Sequence, residues 1–376
     1  MYVDATGEDG FLDDEIHGAF SCIECHGGEP GDLTKEEAHI GMDPDPSDGP
    51  DETCAALCHQ SQLGHYWESS VHATQAGYYD LFEKRSGMKI GDHPEFQEGF
   101  NKGCAACHAS CGDCHISQPK NVGGGLVSGH RINRTPDQVR NCTACHGSRV
   151  GDEYTGANEY AGASQHFLGR MKCVDCHAGS EMHGTPGAEP KHRYEEPAIA
   201  KCDDCHDVAQ GPNSWHVRHA GENASIAGRE LQCQICHSQD YKSCNSCHVG
   251  QGITGPSYQT FKIGKNPIKD LNGWDYALLR HIPVAEDTYT GWGLTDLPNY
   301  SDVETWKYTS PHNIRRFTAR TDTTGGKNGC ADCHATEDSP QGWFLRASDL
   351  EGLSQAEQDA NQHVIVPSGN ATLWPK

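Results

Sequence analysis

Every cysteine in this chain belongs to a pair closed by a histidine. Nine segments read CxxCH, at Cys22/Cys25, Cys104/Cys107, Cys111/Cys114, Cys142/Cys145, Cys173/Cys176, Cys202/Cys205, Cys233/Cys236, Cys244/Cys247 and Cys330/Cys333. A tenth, "CAALCH", is a CxxxCH variant with Cys54, Cys58 and His59. All 20 cysteines of the 376-residue chain are used in this way. Disulfides do not explain why histidine always follows the second cysteine. Zinc takes four ligands per ion, but it does not demand an adjacent histidine at every knuckle. Iron–sulfur clusters use the cysteines and leave the histidines idle. Covalent haem uses all three residues: two thiols form thioethers to the porphyrin vinyls and the next histidine ligates the iron.

The pattern therefore predicts ten haem c groups, with His26, His59, His108, His115, His146, His177, His206, His237, His248 and His334 as proximal iron ligands. Two stretches, "GCAACHASCGDCH" (103–115) and "CQICHSQDYKSCNSCH" (233–248), each attach two haems within a few residues, which must bring the macrocycles close together.

Fourteen of the 24 histidines remain, against ten sixth ligands, while methionine, at five, is too scarce to fill that role. Bis-histidine ligation follows. The candidates are His17, His39, His72, His130, His166, His183, His192, His219, His281 and His312. In "SWHVRHAGE" His219 is preferred to His216, and His65 and His93 read as bystanders, the latter because Pro94 follows it. His17 and His363 lie near the termini, where a chain can lend a ligand to a neighbouring subunit.

Hydrophobic residues make up 35% of the chain, and 43 Gly and 19 Pro are spread without a period. The expected fold is mostly irregular coil with short helices and little β, in which porphyrins replace Leu and Val as the core. It reads as one extended domain, residues 1–376. Residues 1–250 carry nine haems. Residues 251–329 form an aromatic, motif-free wrap donating ligands, and 330–376 hold the tenth haem and a tail. A net charge of −24 weighs against nucleic-acid binding, which needs a basic surface. No apolar run reaches the roughly 20 residues of a membrane span. The acidic, polar opening "MYVDATGEDG" is not a signal peptide and reads as the start of a processed chain. The acidic loop "DPDPSDGPDE" does not match an EF-hand and reads as solvated.

The ten motifs, the "WESSVHA" segment around His72 and the dense 104–248 cluster resemble multihaem c-type cytochromes of anaerobic respiration, including extracellular cytochromes that polymerise into filaments. The likeness covers about residues 20–334 and is specific for haem attachment rather than for one family within the class. It implies a haem-packed architecture, electron transfer along a chain of haems, an extracellular, cell-surface or periplasmic location, and self-assembly or docking with other redox proteins. The rival is a multihaem reductase of nitrite, hydroxylamine or sulfur oxyanions. Such an enzyme keeps one iron open or lysine-bound, and no CxxCK motif is present.

Overall fold

The computed structural model describes residues 16–31, 34–48, 53–60, 69–107, 109–157, 162–207, 216, 219, 230–244, 257–259, 261–282, 285–326, 333 and 342–367. Within them short helical turns and coil dominate, with five short strands. No helix among the described residues is long and apolar enough to cross a membrane.

Where the sequence suggested one continuous domain, the chain folds as two compact units, each discontinuous in sequence. Unit 1 comprises Met1–Tyr79, Glu98–Gly147 and Lys172–Ala200; unit 2 comprises Asp80–Gln97, Ser148–Met171 and Lys201–Lys376.

Unit 1 is built from motif turns and polar cross-links. Its motif helices are no longer than five residues, far below what holds as an isolated helix in water. They are fixed from outside instead. Asn141, 5% exposed and immediately before Cys142, donates to the carbonyls of Asp113 at 2.6 Å and Ser117 at 2.7 Å. Asn121 donates to the Ala144 carbonyl at 2.8 Å, and the Cys173 amide donates to Gln138 Oε1 at 3.1 Å. The turn 142–146 is thereby tied to its neighbours on both sides.

Unit 2 contains a hydrophobic core that the sequence reading did not anticipate. Strands β1 (Tyr241–Cys244) and β2 (Ser257–Gln259) pair antiparallel. Strands β3 (Lys262–Lys265), β4 (Tyr276–His281) and β5 (Trp306–Tyr308) form an antiparallel sheet in that order. Ala277 to Arg280 of β4 are all buried, without the alternation of a half-exposed strand, because both faces of this central strand are covered. Leu278 packs with Ile235, Phe261, Ile263, Phe344 and Val366. Each such side chain contributes about 1.5–3 kcal/mol when fully buried. Gly264 is required in β3: a Cβ there would lie 2.2 Å from Leu279 Cδ1 and 2.8 Å from the Val364 carbonyl. Gln232, 1% exposed, ties the sheet to the 233–237 motif. It accepts from the Leu278 amide at 2.8 Å and donates to Tyr308 Oη and the Thr309 carbonyl at 2.9 Å each.

The segment expected to wrap haem faces thus supplies most of this sheet, with Trp306 only 8% exposed within it. A second apolar cluster gathers Phe82 on helix α1 (Ala76–Ser86), Phe96 on helix α2 (Pro94–Gly103), Tyr289 and Trp292, at ring separations of 5.1–5.8 Å from Phe82. Pro94 opens α2, where its missing N–H costs nothing.

Candidate metal centres

A cysteine pair three residues apart lies on one face of a helical turn, and a histidine at the next position lies close by. Cys22–His26, Cys111–His115 and Cys233–His237 are single α-helical stretches that end on their histidine. Five motifs read C-x-[DE]-C-H, and in the four whose acid lies among the described residues it accepts from the backbone amide before the first cysteine. Glu24 takes the Ser21 N–H; Asp113 takes that of Ser110 at 3.1 Å, Asp175 that of Lys172 at 2.7 Å and Asp204 that of Lys201 at 2.9 Å. This satisfies an otherwise orphaned donor and sets the start of each turn.

The Nδ1 of several motif histidines is engaged as well. His26 and His115 each lie 2.7 Å from a backbone carbonyl, of Asp43 and Asn133, and His237 lies 3.1 Å from that of Arg315. His177 has the carboxylate of Glu181 at 2.9 and 3.0 Å. A ring that donates from Nδ1 presents the Nε2 lone pair to a metal, with its orientation fixed.

The central observation is a set of imidazole pairs. His17 faces His59 at a ring-centre distance of 6.3 Å, His130 faces His26 at 5.7 Å, and His72 faces His146 at 6.2 Å. His183 faces His115 at 6.1 Å, His166 faces His206 at 5.9 Å, and His216 faces His237 at 5.9 Å. Each pair joins one motif histidine to one histidine outside the motifs, within a single unit. With metal–nitrogen bonds of about 2 Å, two imidazoles on opposite sides of one ion hold their centres about 6 Å apart. Ordinary ring contacts are indifferent to such a rule. Tyr289 and Trp292 sit at 4.5 Å, Tyr79 and Phe100 at 4.8 Å, and Tyr78 and Phe100 at 6.2 Å, so it is the pairing of motif with non-motif histidines, rather than the distance alone, that sets these pairs apart.

Burial holds His72, His130, His166, His183 and His237 below the ordinary histidine value, so these rings are neutral and able to ligate at neutral pH. Among the described residues no three His, Cys, Asp or Glu side chains converge as a metal-binding set. The imidazoles come in twos.

No two of the described cysteines are joined in a disulfide. Burial pushes Cys111 up to about 12 and Cys114 up to about 11. Thiols of different motifs also meet: Cys107 with Cys145, Cys142 with Cys173, and Cys202 with Cys233. The hydrogen bond between them raises Cys142, Cys145 and Cys233 and lowers Cys107 and Cys202. Attachment points far apart in sequence are thereby adjacent in space.

Some motif cysteines flank their helical turn rather than lying in it, Cys58, Cys104 and Cys205 among them. Cys205 lies beyond the 202–204 turn rather than within it, with an exposed thiol, because that turn is a tight 3₁₀ turn closed by its own amide on the Cys202 carbonyl at 3.3 Å. Its neighbour His206 donates its amide to the same carbonyl at 2.9 Å, which keeps the three motif residues together. Cys333 is half-buried against the apolar cluster around Leu278. A thiol packs there as a small hydrophobe would.

Of the sequence candidates for sixth ligands, His17, His72, His130, His166 and His183 each face a motif histidine. In the pair where His219 was preferred, it is His216 whose ring faces His237. The His219 carbonyl receives the Leu231 N–H at 2.9 Å, which commits its backbone to the chain entering the sheet and leaves the earlier histidine to reach the motif. His17, considered as a ligand for a neighbouring subunit, faces His59 of its own chain. His39 is exposed and lies 2.5 Å from the Lys35 carbonyl through Nδ1. His192 starts the 193–195 turn, His281 rests on Trp306 at 5.3 Å, and His312 lies 3.4 Å from Glu153, which is 1% exposed. His93 stacks on Phe96 at 4.7 Å, and His363 interacts with Glu304. Cys247, Cys330, His65, His108, His248 and His334 lie outside the described residues, as does the side chain of Cys244.

Sequence reasoning missed Glu24, Asp113, Asp175 and Asp204, although the recurrent acid inside the motif is itself a capping signal. It also missed Glu181, for which spacing offers no signal beyond a carboxylate four residues after a histidine. Comparison with protein-family models, curated proteins and solved structures gives no match.

Proposed function

We propose that this protein carries electrons through ten covalently attached c-type haems with predominantly bis-histidine ligation. The observation that carries the reading is the set of six histidine pairs, each uniting a motif histidine with one outside the motifs at 5.7–6.3 Å. The donor set fits the group. The two imidazoles of each pair would hold a haem iron, and the two cysteines of the motif beside one of them would form the thioether links. When bound, haem iron supplies a one-electron couple, and histidine on both faces sets it lower than a histidine–methionine pair would.

The chain's own residues do the rest. The capped motif turns hold each thiol pair next to its histidine. Backbone carbonyls at Asp43, Asn133 and Arg315 orient the rings of His26, His115 and His237. Cys107 lies beside Cys145, Cys142 beside Cys173 and Cys202 beside Cys233, so successive attachment points are close, as short transfer distances require. A histidine closing each side of the iron leaves no position for substrate, which favours a carrier over the reductase alternative. Location outside the cytoplasm, at the cell surface or in the periplasm, and assembly with copies of itself or with redox partners belong to this proposal. They rest on the resemblance to multihaem cytochromes.

Two measurements test it. Haem quantification on the purified protein should return ten per chain with low-spin ferric spectra. His166→Ala should convert one haem to a high-spin, carbon-monoxide-binding form and leave the rest unchanged. Bound zinc, or thiols that react with alkylating reagents in the mature protein, would overturn it.

A further inference from the structure

Four motif histidines have a described Nδ1 partner, and one differs in kind. His26, His115 and His237 lie against backbone carbonyls, which are neutral dipoles. His177 lies against the carboxylate of Glu181, with both oxygens within 3.0 Å of Nδ1. The Glu181 side chain is only 11% exposed, so solvent screens it little. Its Oε2 also accepts the Ala200 amide at 3.3 Å, which holds the carboxylate in place from a second stretch of chain. Glu181 follows His177 by four residues, on the helix Gly179–Met182.

A full negative charge hydrogen-bonded to the outer nitrogen of a metal-bound imidazole makes that ring a stronger donor. Stronger donation and the nearby charge both favour the more positive iron. We propose that Glu181 is a positioning residue that makes the haem attached at Cys173, Cys176 and His177 harder to reduce than those held by His26, His115 and His237. The chain's haems are then not interchangeable: of these four motif histidines, His177 alone is marked by a buried carboxylate. This inference rests on the haem reading above.

The test uses the full-length haem-loaded protein and the variants Glu181→Gln and Glu181→Asp. First, mass analysis of the peptide spanning 173–177 establishes whether haem is attached there. A wild-type peptide without haem overturns the functional reading and this inference together. With haem in place, spectroelectrochemical titration and low-spin electron paramagnetic resonance report on the individual irons. In E181Q one haem should move to higher potential, with a displaced low-spin signal, while the other nine keep theirs. E181D, which retains the charge, should stay close to wild type. An E181Q titration and spectrum superimposable on wild type with ten haems attached would overturn the inference alone. Should E181Q fail to retain its haem, wild type compared with E181D decides: one low-spin signal set apart from the rest in both supports the role, and its absence in wild type overturns it.

Discussion

The two units solve the problem of an interior in different ways. Unit 1 carries the motifs that begin at Cys22, Cys54, Cys104, Cys111, Cys142 and Cys173, and among its described residues the buried apolar side chains are Ala55, Phe100 and two prolines, Pro119 and Pro190. Its other buried side chains are polar, including Ser47, Ser110, Asn141 and Glu196, and they hydrogen-bond one stretch of coil to another. Unit 2 carries the remaining motifs and every other buried apolar side chain, from Phe82 to Val366. A sheet with Leu278 at its centre can be driven together by water alone. A set of capped turns joined by serine and asparagine cannot, because net hydrogen-bond gains do not offset the ordering of so much coil. On the haem reading proposed above, unit 1 would take its interior from its prosthetic groups, and unit 2 much less.

The largest effect should come from withholding haem. In chain produced without haem attachment, hydrogen exchange should show residues 98–147 unprotected while 262–281 and 306–308 keep slow amides. Equal protection of both would break the comparison. Next in size, Leu278→Ala should cost about 2–5 kcal/mol of unit 2 stability. Read by denaturant titration of exchange in β4, it should leave the spectra of haems held in unit 1 unchanged. A matched pair then sharpens the contrast. Asn141→Ala and Gln232→Ala each strip a buried amide from two or more partners and should each cost roughly 1–3 kcal/mol. Asn141→Ala should also alter the signals of the haems at 111–115 and 142–146, whereas Gln232→Ala should act through the sheet.

The smallest effect concerns acid. Burial pushes the Glu304 carboxyl up, but Lys307 at 2.5 Å pulls it down by more, so it titrates below its ordinary value. A depressed folded value means the unfolded chain binds the proton more readily. The pair's contribution is thus present above the unfolded value of about 4.3 and lost as pH falls through the folded one. Glu304→Gln should remove roughly 0.2–1 kcal/mol from unit 2 at pH 6 and nothing at pH 3. A difference independent of pH would show the ion pair to be irrelevant.

The motif turns were legible in the sequence because thioether attachment demands a local pattern, and local patterns survive in one dimension. The coil-rich, β-poor character was legible too, from glycine and proline and from the shortage of apolar residues. The apolar core was not. Its members Ile235, Phe261, Leu278, Phe344 and Val366 are scattered over more than a hundred positions, on strands of three to six residues. The central strand "YALLRH" is buried without alternation, so no period announces it. For the same reason nothing along the chain foretold that Cys333 would rest on that core while Cys205 faces solvent.

By itself the sequence determined that all twenty cysteines lie in ten CxxCH or CxxxCH motifs, each closed by a histidine, with fourteen further histidines elsewhere in the chain. Which histidine meets which is a property of the fold. His130 reaches His26 and His72 reaches His146 across long stretches of chain, and nothing in the spacing distinguishes His216 from His219. The division into a unit with its own apolar core and a unit without one also arose only in three dimensions. Covalent chemistry is written in neighbours along the chain, whereas ligand pairing and burial depend on residues brought together by packing.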